Sequence, residues 1–473
     1  MSLIRKEMVM IIVLLFIGTC IIPLTAQKIE KPSQPTSRGN WLYVGGSGPG
    51  NYTTIQSAID HANPGDTVFV YSGLYFENVL VDKPLDVRGE ERNTTIIDGG
   101  SSGDVVKITS DSVNLYTFTI RHGQNGIFLE NSNDCSITGN HIYQTSDFGS
   151  GIILESSHHN IIMNNRVLEC SGILLEASDN NTIQSNHHTL NNYYCLEVST
   201  SEANLIENNT YENTRWSGIG QVILISGATN NVVKNNCLIN DSLFLSDAEQ
   251  NQILNNTVNG KALVYLDRSS GNVIDYPAGQ IILMYSENAK VQNQTDIAIH
   301  VLGSKNCRFE NITPRTNRSA GFYIWNSHNI NITNCSISQC IYGIEIWHSS
   351  QLKIQNTWFW KNSYVAIYML NGTDISIAHN SFEENGGLVH PSPGAISIVT
   401  STSIAVQKNN FIGNLKGTYF SNCPRKTILW NENYWDKPRM LPKVIIGRTI
   451  FSLYQVNFDW HPAQEPYNIP AVT

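Results

Sequence analysis

The chain has 473 residues, 41% of them hydrophobic and only 15% charged, with a formal net charge of −9. That acidic balance, with no basic stripe, argues against a nucleic-acid partner. The stretch GGSGPG at residues 45–50 lacks the Lys-Ser/Thr ending of a phosphate-cradling loop.

Residues 1–26 carry Arg5 and Lys6, then an apolar run from Met8 to Ile22, then Pro23 and Leu-Thr-Ala. The run is short for a spanning helix, so it reads as a signal peptide, with cleavage favoured near Ala26, or as an uncleaved anchor. Either way the remainder is exported, to the periplasm, cell surface or medium, and membrane contact is confined to this segment. Residues 27–40 form a polar linker. Trp41–Val44 reads as a short strand. Residues 53–62 read as a helix, with Thr53 and Gln56 in capping-box spacing and Ile55, Ala58, Ile59 and Ala62 on one face. This helix is expected to plug the open end of a β core. Residues 66–117 supply irregular first coils, with strands near 68–71 and 105–108.

From about residue 118 to 435 the chain repeats itself. GIILESSHHNIIMNN (151–165), GILLEASDNNTIQSN (172–186) and GFYIWNSHNINITN (321–334) are three turns of one pattern. Aligned on the second apolar strand, the inward anchors run from Ile137, Ile162, Ile183, Ile206, Val233 and Ile253 through Ile274, Val291, Phe309, Ile332, Ile354 and Ile377 to Val406 and Ile428. Spacings such as 162 − 137 = 25 and 183 − 162 = 21 are too short for a helical hairpin and suit a stacked β coil. Apolar residues also stand ten and eight positions before the anchors, as in Ile127/Leu129 and Ile152/Leu154, on one face of a strand. The repeat unit lacks the Asn-Gly or Asp-Gly turns of the antiparallel hairpins in propellers and sandwiches. The expected fold is therefore all-β: a single-stranded right-handed parallel β-helix, or solenoid, over 41–436 including its N-terminal cap helix.

Two asparagine rows mark the corners. One lies two residues before the anchor (Asn160, Asn181, Asn204, Asn231, Asn251, Asn272) and one three after it (Asn140, Asn165, Asn186, Asn209, Asn236, Asn256, Asn380, Asn409, Asn431). Asparagine tolerates the left-handed conformation, and stacked amides can bond between coils. Pro277 and Pro314 stand at the weakest turns. The proline-bearing tail, 437–473, drops the period and reads as a C-terminal cap. Cys20 aside, the eight cysteines form no CxxC and read as buried free thiols. N-x-S/T sequons recur, among them Asn51, Asn93, Asn293, Asn331 and Asn371, as glycosylation acceptors in an exported chain.

The GIxLxxSxxNxIxxNxI repeat, the opening PGDTVFVYSGLYFENVLV and the closing Asn433-Tyr434-Trp435 resemble right-handed parallel β-helix proteins of the NosD-like, carbohydrate-binding and sugar-hydrolase type, in the pectate-lyase-like superfamily. The resemblance implies the fold over nearly all of the exported chain. It leaves open lyases, hydrolases, epimerases, binding proteins and copper-site accessory proteins. The NTD, DD, GHG and RIK segments of polygalacturonase-like enzymes are absent. A copper role rests on the resemblance alone, since His158-His159 and His187-His188 fall on different sides of the coil and His188 falls inward beside Ile142 and Val167.

Two outward patches of the first strand are the candidate sites. Tyr323, Trp325, Glu345, Trp347 and Tyr368 lie on three adjacent coils, as aromatic planes beside a carboxylate suited to a sugar. Cross-strand stacking for stability alone is the competing account. Glu130, Glu155 and Glu176 form an acidic row spaced about 4.8 Å, which could serve a hydrolase or lyase, hold calcium, or simply be solvated. The outward positions are apolar over much of the sheet, so a partner or another segment is expected to cover part of it. Three functions follow: binding of a polysaccharide or glycoconjugate along the outward sheet, polysaccharide cleavage through the acidic row, or a structural or NosD-type accessory role docking a cell-envelope protein.

Overall fold

The computed structural model describes residues 39–146, 149–212, 221–316, 319–387, 394–415, 417–449 and 453–469. The N-terminal apolar run and residues 27–38 of the linker lie outside them. The described chain is a parallel β-solenoid of about 17 turns with one short helix. Within the first turns the anchors pair in sequence, Ile137 with Ile162, then Ile183, Ile206, Val233 and Ile253. The residues ten positions earlier do the same, from Ile127 through Ile152 and Ile173 to Leu196, Ile223 and Leu243. A third ladder runs Ile142, Val167, His188, Tyr211, Leu238, Val258. All of these side chains are buried. Each aliphatic one removes enough apolar surface to contribute on the order of 2 kcal/mol.

The corners divide their work between two residues. The left-handed conformation falls one position before each ladder asparagine, at His159, Asn180, Ala203, Asn230 and Gln250 for one row and at Gly139, Asn164, Ser185, Asn208 and Asn235 for the other. The ladder asparagine itself is buried and staples its coil to the one before. Asn165 Oδ1 accepts from the Asn140 backbone N–H (2.9 Å), and Asn165 Nδ2 donates to Ile137 O (2.8 Å). Asn186, Asn209, Asn236 and Asn256 repeat this, as do Asn181, Asn204, Asn231 and Asn251 in the other row. The eight cysteines are unpaired, and all but Cys237 are buried.

Both ends are closed. The helix spans Ile55–His61, with Thr54 as its cap accepting from Ser57 N–H (3.2 Å). That is one residue later than the sequence spacing suggests, because the Glu77 carboxylate takes the Ile55 and Gln56 N–H groups and Gln56 reaches the Leu80 backbone instead. The helix packs on strands Trp41–Val44, Thr67–Val70 and Val79–Val81. At the other end, Lys443–Arg448 and Tyr454–Asp459 form an antiparallel hairpin that extends two sheets of the rod. Asp459, fully buried, accepts from Asn433 N–H, Asn433 Nδ2 and Trp435 Nε1, standing where the next ladder amide would be. The last anchor is Trp430, opposite Val406, and its corner amide is Asn433; a turn at Pro424 leaves Ile428 opposite Ile404 and takes Asn431 off the ladder.

The anchor row also breaks, between Ile253 and Ile274. The sheets of the first rod end at Gln252–Leu254 and Ser242–Ser246. Thr257–Val258 then turns back through Asn259-Gly260, both with positive φ, into an antiparallel pairing with Lys261–Asp267. A second rod starts from that strand, with its own core from Val264 to Ile445, and first coils only 17 and 18 residues long (291 − 274, 309 − 291). Its outward face supplies the lid of the first rod: Ile282, Met284 and Leu302 are buried in the first rod's core. Gln280 completes the closure, accepting from Leu243 N–H (3.0 Å) and donating to Leu243 O (2.8 Å) as a neighbouring strand would. The expected cover for the apolar outward sheet is thus, in part, the end of the first rod.

Replacing Asn186 by alanine removes the acceptor of the Asn165 N–H and leaves that donor buried, so urea titration should show a loss of about 2 kcal/mol or more. His188 gives a pH test. It is fully buried, and burial first, then His187, pushes its pKa down to about 3. Below about pH 6.5 the unfolded chain takes up a proton that folded His188 refuses, so stability is full above that pH and falls as the pH drops toward 3. At pH 5 the loss from this group is about 2 kcal/mol. A His188→Leu variant should lose that much less stability between pH 7.5 and pH 5 than the parent does; equal losses would count against a buried neutral imidazole.

Candidate functional site

The outward positions of the second rod's first strand form two parallel rows across its coils. One row reads Ile282, His300, Tyr323, Glu345, Tyr368, Ser397, Tyr419, and the other Met284, Leu302, Trp325, Trp347, Leu370, Val399. The sequence-predicted set is therefore brought together in register, with Tyr323, Glu345 and Tyr368 stacked and Trp325 beside Trp347. Alternation is the reason: Ile324, Ile346 and Met369 turn into the core, which sends their neighbours outward.

The two rows change character along the rod. At the joint, Phe244 of the first rod packs edge-on against His300 (5.4 Å) and Tyr323 (4.9 Å). Tyr323 and Trp325 pack against the first rod's core. Burial pushes His300 down to about 4. Tyr285 donates to Glu249 (2.9 Å), which also pairs with Arg268 (2.7 Å). Tyr323 and Trp325 are thus shared between the face and the joint.

Beyond the joint the centre is Glu345. It is 6% exposed; Oε1 accepts from Trp347 Nε1 (2.8 Å), and Oε2 is buried without a partner. Burial raises its pKa to about 7, against the opposing bond from Trp347. Burial first and the Glu345 charge second raise the phenols of Tyr323, Tyr342 and Tyr368. Tyr368 contacts Trp347 (5.7 Å) and Tyr342 (5.9 Å), and Tyr342 contacts Tyr364 (5.1 Å). Tyr342 and Tyr364 were not legible from the two-row pattern because Tyr342 opens its strand and Tyr364 precedes the next one, twelve and thirteen residues before their anchors.

The acidic row is different. Glu130, Glu155 and Glu176 do stack in register. Glu130 pairs with Lys107 (2.8 Å), Glu155 and Glu176 are exposed, and Ser199 takes the next place. The three stand in one row on the outward face, Glu130 paired and Glu155 and Glu176 open to solvent. A separate cleft of ≈ 280 Å³ lies at the joint, lined by residues including Asp241, Val258, Asn259, Asp296 and Arg315.

Residues 59–262 match the family described as periplasmic copper-binding protein NosD, and residues 278–432 match the right-handed β-helix region. A cell surface glycoprotein of Methanothermus fervidus is 37% identical over 94 residues, 19% of this chain and 16% of that protein's length. Among solved structures, an alginate lyase from Paenibacillus is similar at 14% identity over 76% of this chain and 97% of its own (TM-score 0.33). The catalytic domain of a GH87 α-1,3-glucanase is similar at 13% identity over 83% and 69% (TM-score 0.39).

A soft metal would need converging His, Cys or Met. Among the described residues no three of His, Cys, Asp and Glu come together for an ion, and Met163, Met284, Met369 and Met440 lie on separate elements. His188 sits in the core against Tyr211 (4.9 Å). The described residues do not fit a copper centre. Nor is any helix among them long and apolar enough to cross a membrane. The two family matches end and begin where the first rod gives way to the second, and with the stacked corner amides and paired anchors they make this chain a NosD-like right-handed β-helix repeat protein.

Proposed function

We propose that this is an exported surface protein that binds a polysaccharide or glycoconjugate along the outward aromatic rows of its second rod. The observation that carries the reading is the run of half-buried rings, Trp347, Tyr368, Tyr342 and Tyr364, beside the Glu345 carboxylate, whose Oε2 has no partner, on one solid sheet. Half-buried rings offer flat apolar faces for pyranose rings, the backbone ladders hold them rigid, and the carboxylate supplies an acceptor for a ring substituent. Coils about 4.8 Å apart present these groups in a line along the rod axis, which suits an extended chain ligand. Export is supported by the charged-then-apolar N-terminal segment and by the name of the surface glycoprotein relative. The cysteines carry no disulfide duty in this reading; their burial among aliphatics makes them packing residues.

Titration of the purified protein with a panel of neutral, amino and uronic polysaccharides, followed by tryptophan fluorescence, tests the proposal. A saturable change is expected, weakened at least tenfold by Trp347→Ala and by Tyr368→Ala, with both variants unfolding near the parent temperature. Trp325→Ala behaves differently because Trp325 packs on the first rod: it should lower stability by about 3 kcal/mol. Silence across the whole panel, with the parent folded, would sink the glycan reading.

A further inference from the structure

We infer that the ring of aromatics around Glu345 is a cage for a positively charged ammonium group, carried by an amino-bearing sugar or other glycoconjugate substituent. The inference rests on the glycan-binding reading of this face and names the chemical class of its ligand.

The argument starts from what surrounds the carboxylate. Tyr323 stands on the coil before Glu345 and Tyr368 on the coil after it, opposite it in register. Trp347 lies two residues along the same strand and holds Oε1 through its indole N–H. Tyr342 closes the fourth side through its contact with Tyr368. Four aromatic side chains thus stand around a carboxylate with one oxygen bonded to the Trp347 edge and the other buried and unpartnered. Among the described residues, neither the ion pairs nor the causes of its raised pKa include a lysine, arginine or histidine.

Such a site is poorly made for its own sake. A buried carboxylate is costly to ionise without a cation, and the aromatic side chains around it supply none. One kind of guest reverses both terms. An ammonium is attracted to the ring faces and to the carboxylate together, and the attraction strengthens once water is excluded. A neutral hydroxyl would satisfy the free oxygen but gain little from the rings. A uronate or sulfate would meet like charge from Glu345 in a chain already carrying −9. A lone carboxylate holds no metal ion by itself, and no third ligand converges here. Burial raises the Glu345 pKa to about 7, so a bound cation would draw the carboxyl to its ionised form.

Tryptophan fluorescence and calorimetry at pH 8, where the free carboxylate is ionised, test this with permanently charged probes. The probes are tetramethylammonium chloride, a trimethylammonium-substituted glucosamine tetramer, the N-acetylated tetramer and a glucose tetramer. The charged tetramer should bind at least tenfold more tightly than either neutral one. Glu345→Gln, which keeps the size and an acceptor for the Trp347 bond, should remove that preference, so that charged and neutral tetramers bind within about threefold of each other. Tyr368→Leu should weaken tetramethylammonium as well, and a thermal melt of each variant confirms folding. Equal affinities for charged and neutral tetramers, unchanged in Glu345→Gln, would overturn the cage and leave the glycan face standing. Binding of tetramethylammonium with no tetramer bound would support the cage and overturn the glycan reading. No response to any probe would overturn both.

Discussion

A parallel coil satisfies each layer only by means of the next, and that requirement governs this molecule from end to end. Every strand of the rod bonds to the coil on either side, and every buried corner amide accepts from the coil before it. The last layer of any such stack therefore presents unpaired backbone, an unanswered amide row and an open apolar core. The chain meets this three times with different means. A helix covers the start, and the Glu77 carboxylate satisfies the helix's own first N–H groups. A hairpin covers the finish, with Asp459 substituting one carboxylate for the missing asparagine. Between the rods the lid is the outward face of the second solenoid's first coils, with the Gln280 amide answering the open strand edge at Leu243.

What could be read from the sequence follows from what repeats. Ile162, Ile183 and Ile206 recur because each coil demands the same inward contact, so fold, coil spacing, the inward place of His188 and the two amide rows were all visible. The interruptions were harder to see. Asn259-Gly260 is a two-residue hairpin signal that a reading of the repeat unit passes over, although it turns the chain out of one rod and into the next. The slip from Ile428 to Trp430 was hidden because both are apolar and two residues apart, which preserves the face. The outward aromatic set was legible as a row. Its division between joint and open face was not, since nothing local to Tyr323 or Trp325 announces that Phe244 lies against them.

The joint and the candidate site are one continuous surface, and this links architecture to function. On the second rod the apolar outward row begins as core, at Ile282 and Met284, and becomes a face by Trp347 and Tyr368. Tyr323 belongs to both regions: its ring meets Phe244 on one side and the Glu345 environment on the other. The angle between the rods and the shape of the aromatic cage therefore share a wall. A change in the Gln280–Leu243 closure would be felt at Tyr323 through Phe244, and it acts on the end strand of the eight-stranded sheet whose other strands carry the acidic row.

That shared wall bears on why a carboxylate is kept at position 345 at all. Along the same row the places on either side are taken by tyrosine, histidine and isoleucine; His300 also leaves its Nδ1 buried without a partner, but burial keeps that ring neutral. A rod selected for stability alone would place another such residue there, because an unpartnered buried oxygen weakens the fold and a ring or aliphatic chain would strengthen it. Other buried carboxylates are answered: Asp459, Asp98 and Asp66 each accept two or more hydrogen bonds, and Glu207 pairs with Lys234. Glu345 departs from that pattern at the one place where the outward sheet is aromatic, half-open and held rigid by coils on both sides. Stability is given up where recognition would need a charge, and the ladders of the rod are what make that loss tolerable.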